Sequence, residues 1–352
     1  MSTLISSSRF QGGLDIVFGV VFGLLPAATG CSTLWDGFGE ENPQSCMVTP
    51  SLCSADQYCN PATNQCELAD AGSSMQAEWV PVPSGTAVDL RGVWGGSSDD
   101  AWVVGDTGTI LHWNGSNWSP TTSPTTMDLY AIWGADRRGI LAVGNQGTIV
   151  RYNGSQWKSL NSPGSASLRG VRGVSEDQVW AVGLDGGIFT GGVGKSWSVL
   201  PSPTTEDLHA VWAVNAKNLW AVGDRQIVVR NTGAGWYIEG TGDNSTLNGL
   251  WGLDSSNIWS AGTLGSVRFW NGSSWKNLAV NTDLTRSVLH VYGTDASHIW
   301  MTGEQGLLLY FDGASWSRQS TGTTSDLNGI FQAGPKDLWI VGSGGTILHQ
   351  TL

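Results

Sequence analysis

Nineteen of the twenty tryptophans in this chain fall on a repeat of about 39 residues, and few folds can accommodate that. One column is Trp79, Trp118, Trp157, Trp197, Trp236, Trp275 and Trp316, with steps of 39, 39, 40, 39, 39 and 41. A second column is Trp102, Leu141, Trp180, Trp220, Trp259, Trp300 and Trp339. A third is Trp94, Trp133, Arg172, Trp212, Trp251, Tyr292 and Phe331, and Trp113 and Trp270 share a further register. A period near 40 residues implies a propeller or a solenoid, because each unit must bury its apolar face against the next.

One repeat shows which of the two. Leu90–Gly95 alternates apolar with small or polar residues, 97–100 is a turn, and Ala101–Val104 is a continuous apolar strand of the kind buried on both faces. Gly105–Gly108 forms a second turn and Thr109–Trp113 a third strand; Asn114-Gly115 then reads as a type I′ hairpin leading into a strand at Trp118. Four antiparallel strands with no room for a helix make a propeller blade. The glycine of the second turn recurs in all seven copies: Gly105, Gly144, Gly183, Gly223, Gly262, Gly303 and Gly342. The expected fold is all-β, a seven-bladed propeller over 77–352. The seventh copy reaches Leu352 without a fourth strand, while Trp79–Val82 is a surplus fourth strand before the first copy. The N-terminal strand is therefore expected to complete the last blade and close the ring, which removes exposed sheet edges.

The recurring pattern L-x-G-V-W-G … D-x-W-x-V-G-x-x-G-T-I-x-x-x-N-G-x-x-W resembles the bacterial-neuraminidase-repeat propellers, in particular the photosystem II assembly-factor-like group, and is also similar to tectonin-type propellers. It covers 79–352. The resemblance implies a propeller and says little about its function. A true Asp-box is only approximated at Trp113–Trp118 and Phe311–Trp316.

Residues 1–30 read as an export signal: Arg9, then the apolar run Ile16–Ala28, too short to span a bilayer comfortably. The run ends in Ala28-Thr29-Gly30-Cys31, which resembles the lipobox of bacterial lipoproteins, with Ala28 where Leu is usual. On that resemblance Cys31 is the lipidation site and 31–45 a tether. Cys46, Cys53, Cys59 and Cys66 lie in a polar stretch with three prolines, so 46–66 reads as a module with two disulfides of open connectivity. Residues 67–76 form a linker. The expected location is the bacterial envelope, exported and lipid-anchored, with the outer membrane preferred.

The net charge of −12 argues against nucleic-acid binding, which needs a basic face. No P-loop or G-x-S-x-G is present, and the five histidines form no metal-ligating pair. No metal and no cofactor are expected. Glycosidase chemistry needs two placed carboxylates, and no recurring pair marks one. Trp113 and Trp270, in two blades only, are candidate sugar platforms, although packing is the better explanation of them.

One register varies from blade to blade while its neighbours do not. Directly after the first apolar residue of each innermost strand stand Arg91, Tyr130, Arg169, His209, Asn248, Leu289 and Asn328. The six polar ones are the candidate ligand-binding residues, because repeat proteins place function where repeats differ. The reading is a monomeric, non-catalytic propeller lipoprotein that meets the membrane through its anchor and binds a protein partner. The alternatives are a glycan-binding, tectonin-like propeller and a sialidase-type glycoside hydrolase.

Overall fold

In the computed structural model the chain is described for residues 57–60, 65–68 and 78–351, apart from 241, 243, 279, 281–284, 335 and 336. It divides into two units, Met1–Ser73 and Ser74–Leu352. In the first, Gln57–Asn60 pairs antiparallel with Gln65–Leu68, and the register sets Cys59 opposite Cys66. The expected export signal, Cys31, Cys46, Cys53 and the disulfides themselves lie outside the described residues.

The second unit is a seven-bladed β-propeller of four-stranded antiparallel sheets, six of them built in chain order from the axis outwards. The innermost strands are Leu90–Ser97, Leu129–Gly134, Leu168–Ser175, Leu208–Asn215, Leu247–Asp254, Val288–Asp295 and Leu327–Gly334, in blades 1 to 7. Each packs against the innermost strands of both neighbours, and the ring runs from blade 7 back to blade 1. In blade 7 the fourth strand is Val80–Pro81, paired with Ile347–Thr351.

The second strands, such as Asp100–Gly105 and Asn218–Gly223, are buried along almost their whole length, which is why they read as apolar runs. The tryptophan columns pack between blades. Trp102 meets Trp157 of the next blade edge to face at 5.5 Å, and Trp300 meets Trp79 in the same way at 6.0 Å. In the third column the indole of one blade lies over the following blade's inner-strand glycine. A Cβ on Gly134 would come within 2.6 Å of Trp94, and one on Gly173 within 2.5 Å of Trp133. The Trp-Gly pair in the repeat is therefore one contact seen twice.

One turn expectation needs correction, and the recurring glycine of the second turn has a steric role. Gly105 and its six equivalents are extended, not left-handed, with φ near −165° at Gly105, Gly144 and Gly183. Their constancy is steric: a Cβ at Gly144 would sit 1.9 Å from the Asp128 carbonyl oxygen. The left-handed residues come two and three positions later, and the first is seldom glycine: Thr107, Gln146, Asp185, Arg225, Leu264 and Gln305 all have φ between 52° and 56°. Carboxylates of the following blade offset that strain. Asp128 accepts from the Thr107 N–H at 2.8 Å, Asp207 from Asp185 at 2.8 Å, Asp326 from Gln305 at 2.9 Å and Asp89 from Gly344 at 2.8 Å.

The hairpin at Asn114-Gly115 is not type I′. Trp113 pairs with Trp118 across a four-residue loop in which Gly115 alone has positive φ. The Asn114 side chain accepts from the N–H groups of Ser116 and Asn117, both at 3.0 Å, so the asparagine is a side-chain cap and the glycine supplies the left-handed step.

Candidate functional site: the central channel

Each innermost strand carries a β-bulge near its start. Leu90 pairs with Gly105 and Gly92 with Val104, which leaves Arg91 outside the ladder. The same irregularity isolates Tyr130, Arg169, His209, Asn248, Leu289 and Asn328. A bulge re-aims the extra side chain. All seven line one cavity of about 440 Å³ on the propeller axis, a volume suited to a small ligand or a peptide segment. The turn residues Asp106 and Asp128 also line it, at the mouth. The lining ends at the third column, where Trp94, Trp133, Arg172, Trp212, Tyr292 and Phe331 form the floor.

The structure thus brings the six predicted polar residues together, and it distinguishes their roles. Asn248 and Asn328 donate their side-chain amides to the Val288 and Leu90 carbonyls, each at 2.8 Å. Asn328 in this way ties blade 7 to blade 1, and Asn248 ties blade 5 to blade 6. Arg91 is held in a bidentate pair with Asp106, at 2.8 and 2.7 Å, with Asp89 at 3.2 Å. That hydrogen bond and the two carboxylates raise its pKa against the opposing effect of burial. His209 bonds Asp224 at 2.9 Å, and Asp224 also accepts from Thr246. Burial works to raise the Asp224 pKa, but the His209 and Thr246 bonds outweigh it and hold the carboxyl below its ordinary range. The Arg169 guanidinium lies 4.2 Å over the Tyr130 ring. Among the described residues no carboxylate lies within ion-pair distance of Arg169.

Two channel residues were missed in the sequence reading. Arg172 stands in the third column among aromatics, its guanidinium 3.8 Å over the Trp212 ring. Its Nε is buried with no hydrogen-bond partner, and among the described residues no carboxylate pairs with it. Burial lowers its pKa to about 10, so it remains a cation at neutral pH. The second is His290, at the position held by Gly92, Ala131, Gly170, Ala210, Gly249 and Gly329 in the other blades. Its Nδ1 is buried and unpartnered, and burial lowers its pKa to about 4. The signal for both was available in the sequence: each is a single departure from an otherwise uniform column.

Trp113 and Trp270 are not open platforms. Trp113 packs on Trp118 and Trp339, at 5.6 and 4.9 Å, and its indole donates to the Ser98 carbonyl. Trp270 is buried, donates to the Ser255 carbonyl, and has Arg230 5.0 Å from its ring.

Of the acids and amides at the start of the second strands, Asn218 and Asn257 make the local turn bonds expected of such residues. Asp100 and Asp337 do more. Asp100 accepts from Trp102 Nε1 at 3.0 Å and bonds His112 at 2.8 Å, with the imidazole stacked 4.1 Å from Trp102. In blade 7 His349 bonds Asp337 at 3.1 Å and stacks 4.0 Å from Trp339, but Trp339 Nε1 is buried without a partner, so only the carboxylate–imidazole part of that arrangement is repeated. Among the described residues no group of three or more His, Cys, Asp or Glu could hold a metal ion.

Solved propellers of unrelated activities share this fold. A structure described as YCF48 bound to D1 peptide is 16% identical, with a TM-score of 0.66, over 80% of this chain and 99% of that one. YCF48 from Cyanidioschyzon merolae is 19% identical, with a TM-score of 0.63, over 78% and 99% of the two chains. A streptogramin B lyase is 12% identical, with a TM-score of 0.70, over 78% and 97%. At these identities the likeness establishes the fold. No protein-family model matches the chain, and no curated protein is significantly similar to it in sequence.

Proposed function

We propose that this protein is an exported, lipid-anchored binding protein of the bacterial envelope whose propeller engages a protein partner at the mouth of its channel, without catalysis. The observation that carries this reading is the bulge. Seven blades repeat the same packing, yet each releases one side chain from its ladder into a shared cavity, and those side chains differ. The carboxylates that line the channel are engaged, Asp106 by Arg91 and Asp128 by the Thr107 N–H, which favours recognition over acid–base chemistry. The YCF48 structure with a D1 peptide supports peptide recognition on this fold. The packing of Trp113 and Trp270 leaves the glycan-binding reading without the exposed platforms it needs.

The test pairs Tyr130→Ala with Arg169→Ala, which removes a half-buried cation–π contact worth about 1 kcal/mol. Thermal unfolding of the double variant is expected within a few degrees of the parent, while cross-linking to the partner in native envelopes is lost. Unchanged cross-linking would move the site off the channel. The anchor is tested separately: Cys31→Ser is expected to shift the protein from the membrane to the soluble fraction, because acyl chains supply the membrane affinity. An unmodified Cys31 in the mature protein, seen by mass spectrometry, would refute the anchor alone.

A further inference from the structure

The channel floor is built for packing at six positions of seven. Trp94, Trp133, Trp212, Tyr292 and Phe331 face the cavity with aromatic rings, Trp251 fills the same column in blade 5, and several touch: Tyr292 and Phe331 at 5.2 Å, Trp212 and Trp251 at 6.1 Å. Blade 3 places Arg172 in this ring. An arginine there is costly to a fold that needs only an aromatic residue, because a buried cation without a counter-ion loses hydration and regains little. Stacking on Trp212 recovers part of that cost and leaves the rest of the guanidinium's hydrogen-bonding capacity unused. The protein as a whole carries a net charge of −12, so anionic side chains are abundant, yet among the described residues none reaches this guanidinium. Arg91, by contrast, is neutralised by two aspartates at the mouth. The deep arginine is the one left open to the cavity.

We infer that the floor of the channel is a binding site for a carboxylate group, with Arg172 as its counter-ion and the surrounding aromatic rings as the wall for the flat or apolar group attached to it. A guanidinium offers two parallel N–H donors that match a carboxylate's two oxygens. Its Trp212 stacking fixes the plane of that fork before the ligand arrives. Arg169 lies toward the mouth on the same strand and adds a second positive group along the approach. The carboxylate can be the free C-terminus of a peptide or that of a small aromatic acid; the chemistry at Arg172 is the same. The site deepens the channel-binding reading above and rests on the same cavity.

The probes are 3-phenylpropionate and its amide, together with a short peptide ending in phenylalanine as free acid and as C-terminal amide, each titrated by calorimetry into the full-length protein. Both acids are expected to bind at least tenfold more tightly than their amides, and Arg172→Met to abolish that preference. Binding of the free-acid peptide at much lower concentration than phenylpropionate assigns a peptide terminus; the reverse order assigns a small acid. Equal affinity of acid and amide in the parent, or an undiminished acid preference in Arg172→Met, overturns the proposal. Because methionine packs where aromatics already do, Arg172→Met is expected to fold; Arg172→Lys, which keeps charge without the fork, is the second variant and is expected to lose most of the preference. The two readings fail separately. Acid binding without loss of partner cross-linking in the Tyr130→Ala/Arg169→Ala variant removes the protein-partner reading alone, and absence of acid binding removes this one alone.

Discussion

Trp220 is fully buried and shows how much one residue of the columns carries. Its indole donates to Glu239 at 3.2 Å, Arg230 lies 4.7 Å over its ring, and Arg230 pairs with Glu239 at 2.7 Å. Trp275 of the next blade donates to the same carboxylate at 3.0 Å. Trp220→Ala opens a cavity and disturbs this network, and is expected to cost about 3–5 kcal/mol. Arg230→Met leaves Glu239 buried beside two indole donors and is expected to cost about 3 kcal/mol, the penalty of breaking a buried pair. Urea unfolding of both variants measures these costs; a loss below about 1 kcal/mol for Trp220→Ala would mean the second column is not core.

His290 makes a pH prediction. Burial holds its folded pKa at about 4, below the ordinary value of 6.5, so the unfolded chain takes up the proton first. Stability from this residue is therefore present above pH 6.5 and is lost as pH falls from 6.5 to about 4. The loss amounts to about 3 kcal/mol at most. His290→Ala installs the residue that blades 2 and 4 carry at this position. The variant should be comparable to or less stable than the parent at pH 7, and should gain on it steadily through that window. Parallel melting curves from pH 7 to pH 4 would show that the imidazole is not the cause.

At the scale of the blade, the repeated unit is held by close backbone approach as much as by tryptophan. Where the second strand turns, Gly144 lies so near the Asp128 carbonyl that any side chain must push the inner strand away. Gly144→Ala is expected to destabilise by about 1–3 kcal/mol, the range seen on overpacking. Asp128→Ala removes only the carboxylate that caps the left-handed Thr107, and is expected to cost about 1 kcal/mol. If calorimetry ranks the two in the opposite order, the glycine column is conformational and not steric. The bulge belongs to this scale too, since it turns an ordinary strand position into a channel side chain without changing the rest of the blade.

At the scale of the whole propeller, a ring of seven sheets keeps its cooperativity only while each blade has both neighbours. Blade 7 takes its fourth strand from Val80–Pro81, and Val82 donates to the Ile347 carbonyl at 2.9 Å. Trp79 is buried against Trp300 of blade 6. Deleting residues 78–84 strips these contacts and exposes a sheet edge. The truncated protein is expected to melt in a broad transition at lower temperature and to aggregate. A melting curve superimposable on the parent's would show that the ring closes without this segment.

The sequence by itself determined the blade count, the four strands per blade and the tryptophan core, because these rest on periodicity and every copy restates them. It also marked the varied register from Arg91 to Asn328. Periodicity could not report what each varied residue does, since that depends on atoms hundreds of residues away or in the next blade. Asn328 donates to Leu90, Arg91 is claimed by Asp106, and among the described residues only Arg169 and Arg172 face the cavity over aromatic rings without a carboxylate. The recurring glycine of the second turn was legible only as a turn residue; the close approach of Asp128 to Gly144, a contact made by the fold, shows that its constancy is steric. Arg172 and His290 were legible only as irregularities in their columns. What makes them chemically distinct, a charge and an imidazole set in an apolar wall, came from burial, which only the closed ring of seven blades supplies.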